Sequence, residues 1–350
     1  MTATGMKTHS RPASHLASLA AAFVAVSLGT VCHAQDAERT VDLHAYGQVS
    51  EVRNLSAPGG GFELDYNVAA LGVWRIRPDV RAWLQLARYR ELNETRVEWA
   101  FLDWDVSAST TLRLGQSRVP MGLVNEARDV QTLRNSLTKP FLYDGEHGLV
   151  DEALRGVIAE HRRESVEHGG LVVEGYATGA TIRDESSAIP ARLLGGRVQW
   201  TPPSSSWTLS ASAYAGRQAP EDADESGWSS RHALVVSAKV RAMGWDLTGE
   251  IGTGRSGEGT IRVGYLQGDR DLSGQHTLFM RAESSRRQPA DEGPEWRDRL
   301  SAGLAWKPSP HWGCRIELGA NRASPTAPTP PATTLRTRWN DVAVGFNFYL

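Results

Sequence analysis

The sequence predicts an all-β fold, a transmembrane antiparallel β-barrel of about 16 strands, on three observations. Apolar and polar residues alternate with period two from residue 40 onward, as they do in strands whose two faces meet unlike surroundings. The connections alternate between short turns and long hydrophilic segments, and the final stretch alternates Val, Phe and Leu with small or polar residues. The 350 residues are 40% apolar and carry 38 basic against 40 acidic side chains. A single apolar run excludes a bundle of membrane helices, each of which needs about 20 mostly apolar residues. Near-neutral charge excludes the basic face of a nucleic-acid binder, and two cysteines exclude a disulfide framework or thiolate zinc site.

Lys7 and Arg11 precede the apolar run Leu16–Leu28, which is followed by Cys32-His33-Ala34 and the polar Gln35–Glu38. A charged start, a short apolar stretch and small residues before a polar one make a secretory signal, with cleavage expected after Ala34. Residues 35–350 then form the barrel. Gly29-Thr30-Val31 before Cys32 is a poor lipidation site. Removing residues 1–34 leaves 36 basic against 40 acidic residues and Cys314 as the remaining cysteine. Stability must then come from burial and hydrogen bonding.

The first strand sets Val41, Leu43, Ala45, Gly47 and Val49 against Asp42, His44, Tyr46, Gln48 and Ser50. Later runs repeat the pattern: Trp207, Leu209, Ala211; Leu234, Val236, Ala238; Ile261, Val263, Tyr265; Trp312, Cys314, Ile316, Leu318. Small apolar residues with aromatics near the strand ends suit a lipid-facing band better than a sandwich core. The expected strands are 40–53, 64–75, 79–90, 94–106, 109–117, 152–163, 169–179, 191–201, 206–217, 231–241, 244–253, 259–268, 275–285, 297–307, 311–321 and 340–350. Trp74, Trp83, Trp99 and Trp104 read as an aromatic girdle or a subunit contact.

Short connections lie at 77–79, 106–109, 202–205, 242–244 and 307–310, and long ones at 54–63, 118–151, 180–190, 218–230, 286–296 and 321–339. Turns on one side and loops on the other match periplasmic and extracellular rims, and an even strand number puts both termini on the turn side. In the last strand Val342, Val344, Phe346, Phe348 and Leu350 share one face, and Asp341, Ala343, Gly345, Asn347 and Tyr349 the other. This resembles the C-terminal insertion signal of Gram-negative outer-membrane proteins, with Leu350 where the family usually ends in Phe or Trp. The resemblance implies the outer membrane as location and the β-barrel assembly machinery, outer-membrane lipid and lipopolysaccharide as partners.

The longest inter-strand segment runs from Arg118 to Asp151. A loop of that length is normally functional. The fifth strand ends in Gly115-Gln116-Ser117-Arg118-Val119-Pro120-Met121-Gly122, and the following strand opens with Arg155-Gly156-Val157. These motifs resemble the phosphate-selective porin O/P superfamily and related Gram-negative general porins. That resemblance implies a channel for passive diffusion of small hydrophilic solutes and ions, a homotrimer, and a third loop folded inward to narrow the pore. Phosphate selectivity is not carried over, because four lysines (Lys7, Lys139, Lys239, Lys307) cannot build a basic ladder. A pore selects by its diameter and the charges at its narrowest point. The expected constriction residues are Arg118, Glu126, Arg128, Asp129, Arg134 and Lys139. Arg113, Arg155, Arg197, Arg262, Arg281 and Arg315, opposed by Glu98, Glu174, Asp246, Glu250, Glu283 and Glu317, are expected to line a mixed-charge lumen.

No catalytic or metal motif competes with this reading. His44, His161, His168, His232, His276 and His311 are scattered, without a Gly-x-Ser-x-Gly elbow or a His-Glu-x-x-His pair. The acidic run Glu221–Glu225 lacks the spacing of a calcium loop and reads as solvated charge, and Gly59-Gly60-Gly61 is a loop tip. No enzyme activity, cofactor or metal is expected. The alternative is a barrel anchor or adhesin, plugged by its own third loop, that binds polysaccharide or a partner through its long loops.

Overall fold

The computed structural model describes residues 41–56, 63–90, 94–128, 133–144, 148–182, 188–220, 227–256, 259–289, 293–324 and 338–350. The expected leader, Gly59–Gly61, Asp129 and the run 221–225 lie outside the described residues. The strands are β1 (Val41–Asn54), β2 (Glu63–Arg77), β3 (Val80–Tyr89), β4 (Glu94–Ser107), β5 (Thr110–Arg118), β6 (Ala153–Ser165), β7 (Gly169–Ile182) and β8 (Ile189–Thr201). They continue as β9 (Trp207–Gln218), β10 (Ser229–Ala242), β11 (Trp245–Ser256), β12 (Gly259–Ser273), β13 (His276–Pro289), β14 (Glu295–Ser309), β15 (Trp312–Ala323) and β16 (Arg338–Tyr349). Each pairs antiparallel with its chain neighbours, and β1 pairs with β16 from Tyr46↔Tyr349 to Asn54↔Asp341, which closes the barrel. Closure leaves no row of unpaired peptide groups, the condition a sheet must meet in hydrocarbon.

Turn chemistry sets one rim. Ala242 pairs with Trp245, so Met243 and Gly244 form a two-residue hairpin. Their φ values of 52° and 75° are both positive, as in the type I′ turn that matches strand twist. Pairs Arg77↔Val80, Ser107↔Thr110 and Ser273↔His276 make similarly tight turns at this rim. Above it, Trp74, Trp104, Trp200 and Trp306 are exposed on the outer wall. Trp200 meets Trp207 edge-on at 4.7 Å and Trp306 meets Trp312 at 5.4 Å. Leu234, Val236, Ile251, Leu266, Leu300, Leu318 and Val344 carry the exposed apolar band between the rims.

The C-terminal strand keeps its expected faces. Phe346 stacks on Trp312 and Phe348 pairs with Trp312 across the ladder, while the Tyr349 hydroxyl, on the other face, lies 2.9 Å from His44 Nδ1. Leu350 follows the last ladder residue.

Three sequence expectations are corrected by the observed faces. Trp83 and Trp99 do not join the girdle: they point inward, Trp83 stacked on Phe101 at 5.7 Å and Trp99 under the Arg118 guanidinium. On β12 the apolar residues are the inward ones, because Ile261, Val263 and Tyr265 belong to a buried cluster with Leu142, Tyr143 and Leu149. Arg262 therefore lies exposed on the outer wall and does not line the lumen. Arg155 also alternates outward, exposed beside Val157 and bonded to Gln116, while Leu154 and Ile158 are buried.

Gly115 shows how tightly the wall is drawn where β5 ends. Its φ is +132°, and a Cβ there would stand 2.3 Å from the Ala100 carbonyl oxygen. Backbone cannot yield as a side chain can, so only glycine fits. Gly115→Val is expected to cut the fraction of protein reaching the compact, heat-modifiable form on cold gel electrophoresis to well under half; an undiminished fraction would contradict the tight approach.

Candidate functional site

The chain between β5 and β6 is the one long connection that the structure describes in most of its length, and it is held by side chains from many strands. Short 3₁₀ turns at Asn125–Ala127 and Phe141–Tyr143 give it local shape. Pro140 opens the second turn in extended backbone, and Phe141, Leu142 and Tyr143 are buried. They pack with Met121, Leu149, Tyr176, Leu193, Tyr214, Val235 and Val263. Burial of this apolar surface helps attach the segment, at roughly 25 cal/mol per Å² removed from water.

Carboxylates on the inner face then fix its register. Glu250 of β11, 1% exposed, accepts hydrogen bonds from Leu123 N at 2.6 Å, the Tyr143 hydroxyl at 2.5 Å, the Tyr265 hydroxyl at 2.6 Å and Ser237 Oγ at 2.7 Å. Burial, then the neighbouring Glu250 charge, push the Tyr143 phenol well above its ordinary range, so it stays a donor. Glu317 of β15 accepts from Leu137 N at 2.8 Å, and from Thr138 N at 3.1 Å and Thr138 Oγ1 at 2.6 Å. Glu283 of β13 accepts from Phe141 N at 2.8 Å. Buried backbone N–H groups of an irregular segment need such acceptors.

Arginines complete the frame. Arg281 donates to Ser136 Oγ and the Thr138 carbonyl, each at 3.1 Å. Arg197 of β8 reaches the Gly122 carbonyl at 3.0 Å, Glu126 at 2.8 Å and Glu174 at 2.5 Å. Arg231 of β10 grips Asp151 through both guanidinium nitrogens, at 2.6 and 2.8 Å. Within the segment, Arg128 bonds the Tyr143 carbonyl at 3.1 Å and Glu152 at 2.9 Å, and Arg118 pairs with Glu152. Gly122 sits where these contacts converge, with φ +68°; a Cβ there would meet the Tyr143 hydroxyl at 2.1 Å and Glu250 Oε1 at 2.6 Å.

Of the expected constriction residues, Arg118, Arg128 and Arg134 are buried, Arg128 fully; Lys139 is half-buried and Glu126 exposed. Arg197, Arg281, Arg315, Glu174, Glu250 and Glu317 are buried on the inner face, where Arg113 is half-buried. Asp151, Glu152 and Arg231 were not singled out from sequence. Arg231 carried a signal: it stands in phase with Ala233, Val235 and Ser237, an arginine on a face of small residues.

Away from the segment, the inner face of β3 to β7 encloses a cavity of about 390 Å³. Trp83 forms one wall, and Arg81, Asp103, Asp105, Arg113, Glu160 and Arg162 line it. The charges come as pairs: Arg81–Asp105 at 2.9 Å, Arg113–Asp103 at 2.8 Å, and Arg162–Glu160. Arg113 also lies over the Phe101 ring, 4.5 Å from its centre.

No protein-family profile matches the chain, and no curated protein matches it. Solved barrels do match in shape. OmpT of Vibrio cholerae aligns over 91% of this chain and 99% of its own, at 9% identity and TM-score 0.63. An anion-selective porin from Comamonas acidovorans aligns over 89% and 99%, at 11% identity and TM-score 0.64. OmpF of Salmonella typhi, in complex with daunomycin, aligns over 89% and 97%, at 12% identity and TM-score 0.63. At these identities the likeness is one of fold.

Glu250→Ala removes one acceptor from four donors at once. A loss on the order of 3 kcal/mol is expected, since hydrogen bonds to buried charged groups contribute about 1.5–3 kcal/mol each and water recovers part of that. The measurement is denaturant unfolding in detergent together with limited proteolysis. Stability equal to the parent and no new cleavage within 119–152 would contradict the anchoring role.

Proposed function

We propose that the protein is an outer-membrane channel for passive diffusion of small hydrophilic solutes and ions. The observation that carries the reading is the open, charge-paired cavity of β3–β7 inside a closed sixteen-strand barrel, beside a segment tethered to the inner face of β8–β15. On this reading residues 119–152 fold across the interior and narrow the path, as the resemblance to general porins implies. Arg118, Arg128 and Arg134 then act as struts of the constricting loop, and Arg81, Arg113 and Arg162 with Asp103, Asp105 and Glu160 face the passing solute. A mixed lining focuses little net field, so selectivity between ions is expected to be weak.

The same reading includes export through a cleaved leader, insertion by the assembly machinery through the Phe346–Leu350 end, and assembly as a homotrimer. The O/P-like motif around Gly115–Gly122 is part of it without phosphate selectivity.

Purified protein in a planar bilayer should give discrete unitary current steps. Folded protein giving none would favour the second reading, a plugged anchor whose long loops bind a partner. Arg81→Gln with Arg113→Gln should move the reversal potential toward cation preference, whereas Arg128→Gln should leave it within error of the parent. A larger shift from Arg128→Gln than from the double variant would reverse the assignment of struts and lining.

A further inference from the structure

Ladder register sets Arg81 of β3, Asp103 of β4 and Arg113 of β5 side by side on the inner wall, and Trp83 opposite Phe101 at the next inward position. Every second residue of a strand shares a face, so a charged row and an aromatic row lie next to each other in the cavity beside the short turn at 107–109. Trp83 stacks on Phe101 and also walls the cavity.

Every carboxylate lining this cavity is already matched to an arginine. Asp105 takes Arg81, Asp103 takes Arg113, Glu160 takes Arg162 and Glu174 takes Arg197. A charged solute would have to break such a pair, and separating it leaves one charge uncompensated. A neutral solute need not. Arg81 commits only Nη2 to Asp105, and Arg113 commits Nε and Nη2 to Asp103, so Nη1 of each donates to no described residue. Asp103 accepts these two bonds from Arg113, and an ionised carboxylate has room for about four.

We propose that this cavity is a saturable binding site for a neutral saccharide of one or two rings. A hydroxyl both donates and accepts. Vicinal hydroxyls can therefore take a guanidinium N–H and give to the adjacent carboxylate while the ion pair stays intact, and the C–H face of the sugar ring lies on the Trp83 indole. Tryptophan offers that apolar body at a small cost in side-chain freedom. The volume of about 390 Å³ falls within the range of small-molecule pockets, roughly 300–1,000 Å³. The inference rests on the solute path proposed above and names what that path retains.

The test uses the full-length barrel with four probes: maltose as the saccharide, triethylene glycol as a flexible neutral control, potassium gluconate as the anion and glycylglycine as the zwitterion. Binding is read by saturation-transfer NMR in neutral detergent and, separately, by the fall in unitary current as solute is added to a planar bilayer. Maltose should bind saturably and roughly tenfold more tightly than each of the others, a difference of about 1.4 kcal/mol. Trp83→Leu keeps an apolar side chain without the ring and should weaken maltose by roughly tenfold. Asp105→Asn leaves Arg81 without its counter-charge, so maltose should weaken while gluconate binding strengthens; a merely structural change would weaken both. Gluconate or glycylglycine binding to the parent as tightly as maltose, maltose binding no tighter than triethylene glycol, or maltose affinity unchanged in both variants would each overturn the proposal. Unitary steps untouched by maltose, with no NMR saturation, refute the saccharide site and leave the channel standing. Saturable maltose binding without unitary steps refutes the channel and keeps the site. Should Trp83→Leu fail to fold, Asp105→Asn and the parent's order of preference still decide it.

Discussion

Everything in this barrel depends on the β1–β16 ladder. A peptide group in hydrocarbon has no water to bond, so an open sheet of this size would leave two edges unsatisfied. The registers from Tyr46↔Tyr349 to Asn54↔Asp341 remove both. Once the sheet closes, period-two alternation becomes a physical division: each strand gives one set of side chains to the outside and the other to a confined interior. The tryptophans above the short turns and the apolar band are levels of the outer wall, and the carboxylate–arginine frame belongs to the inner one.

The interior is divided in turn. On the β8–β15 side, Glu250, Glu283, Glu317, Arg197 and Arg281 hold one irregular segment through its own backbone, and Arg231 holds it through the Asp151 carboxylate. On the β3–β7 side the ion pairs bond mainly to one another across neighbouring strands and surround open space. The same residue types therefore do two jobs, distinguished by partner. Buried carboxylates that accept backbone N–H groups fix a loop; the Arg81–Asp105 and Arg113–Asp103 pairs beside Trp83 line open space.

Much of the fold was legible from sequence because alternation and turn chemistry are local. The sixteen strands, the alternation of turns and loops, and the faces of β9, β10, β15 and β16 all follow from residue order. The expectation failed where a third element covered a strand. Ile261, Val263 and Tyr265 look like a lipid-facing run, and they are inward because Leu142, Tyr143 and Leu149 give them an apolar partner there. Polarity alone marks two unlike faces and does not say which is outside, so alternation by itself assigns Arg262 to the lumen when it lies on the outer wall. Trp83 and Trp99 failed similarly, since an aromatic near a strand end suits a girdle or an interior stack equally well. The Arg231–Asp151 clamp spans 80 positions, and nothing local pairs the two.

The most direct test of the channel account is where a thiol reagent blocks current. In a Cys314→Ser background, Thr111→Cys places a thiol in the β3–β7 cavity, and Leu114→Cys places one on the exposed outer wall. Adding a charged, membrane-impermeant methanethiosulfonate during single-channel recording should lower unitary current stepwise at the first position and leave it unchanged at the second. Unaltered current after mass spectrometry confirms full modification at position 111 would contradict a solute path along this wall.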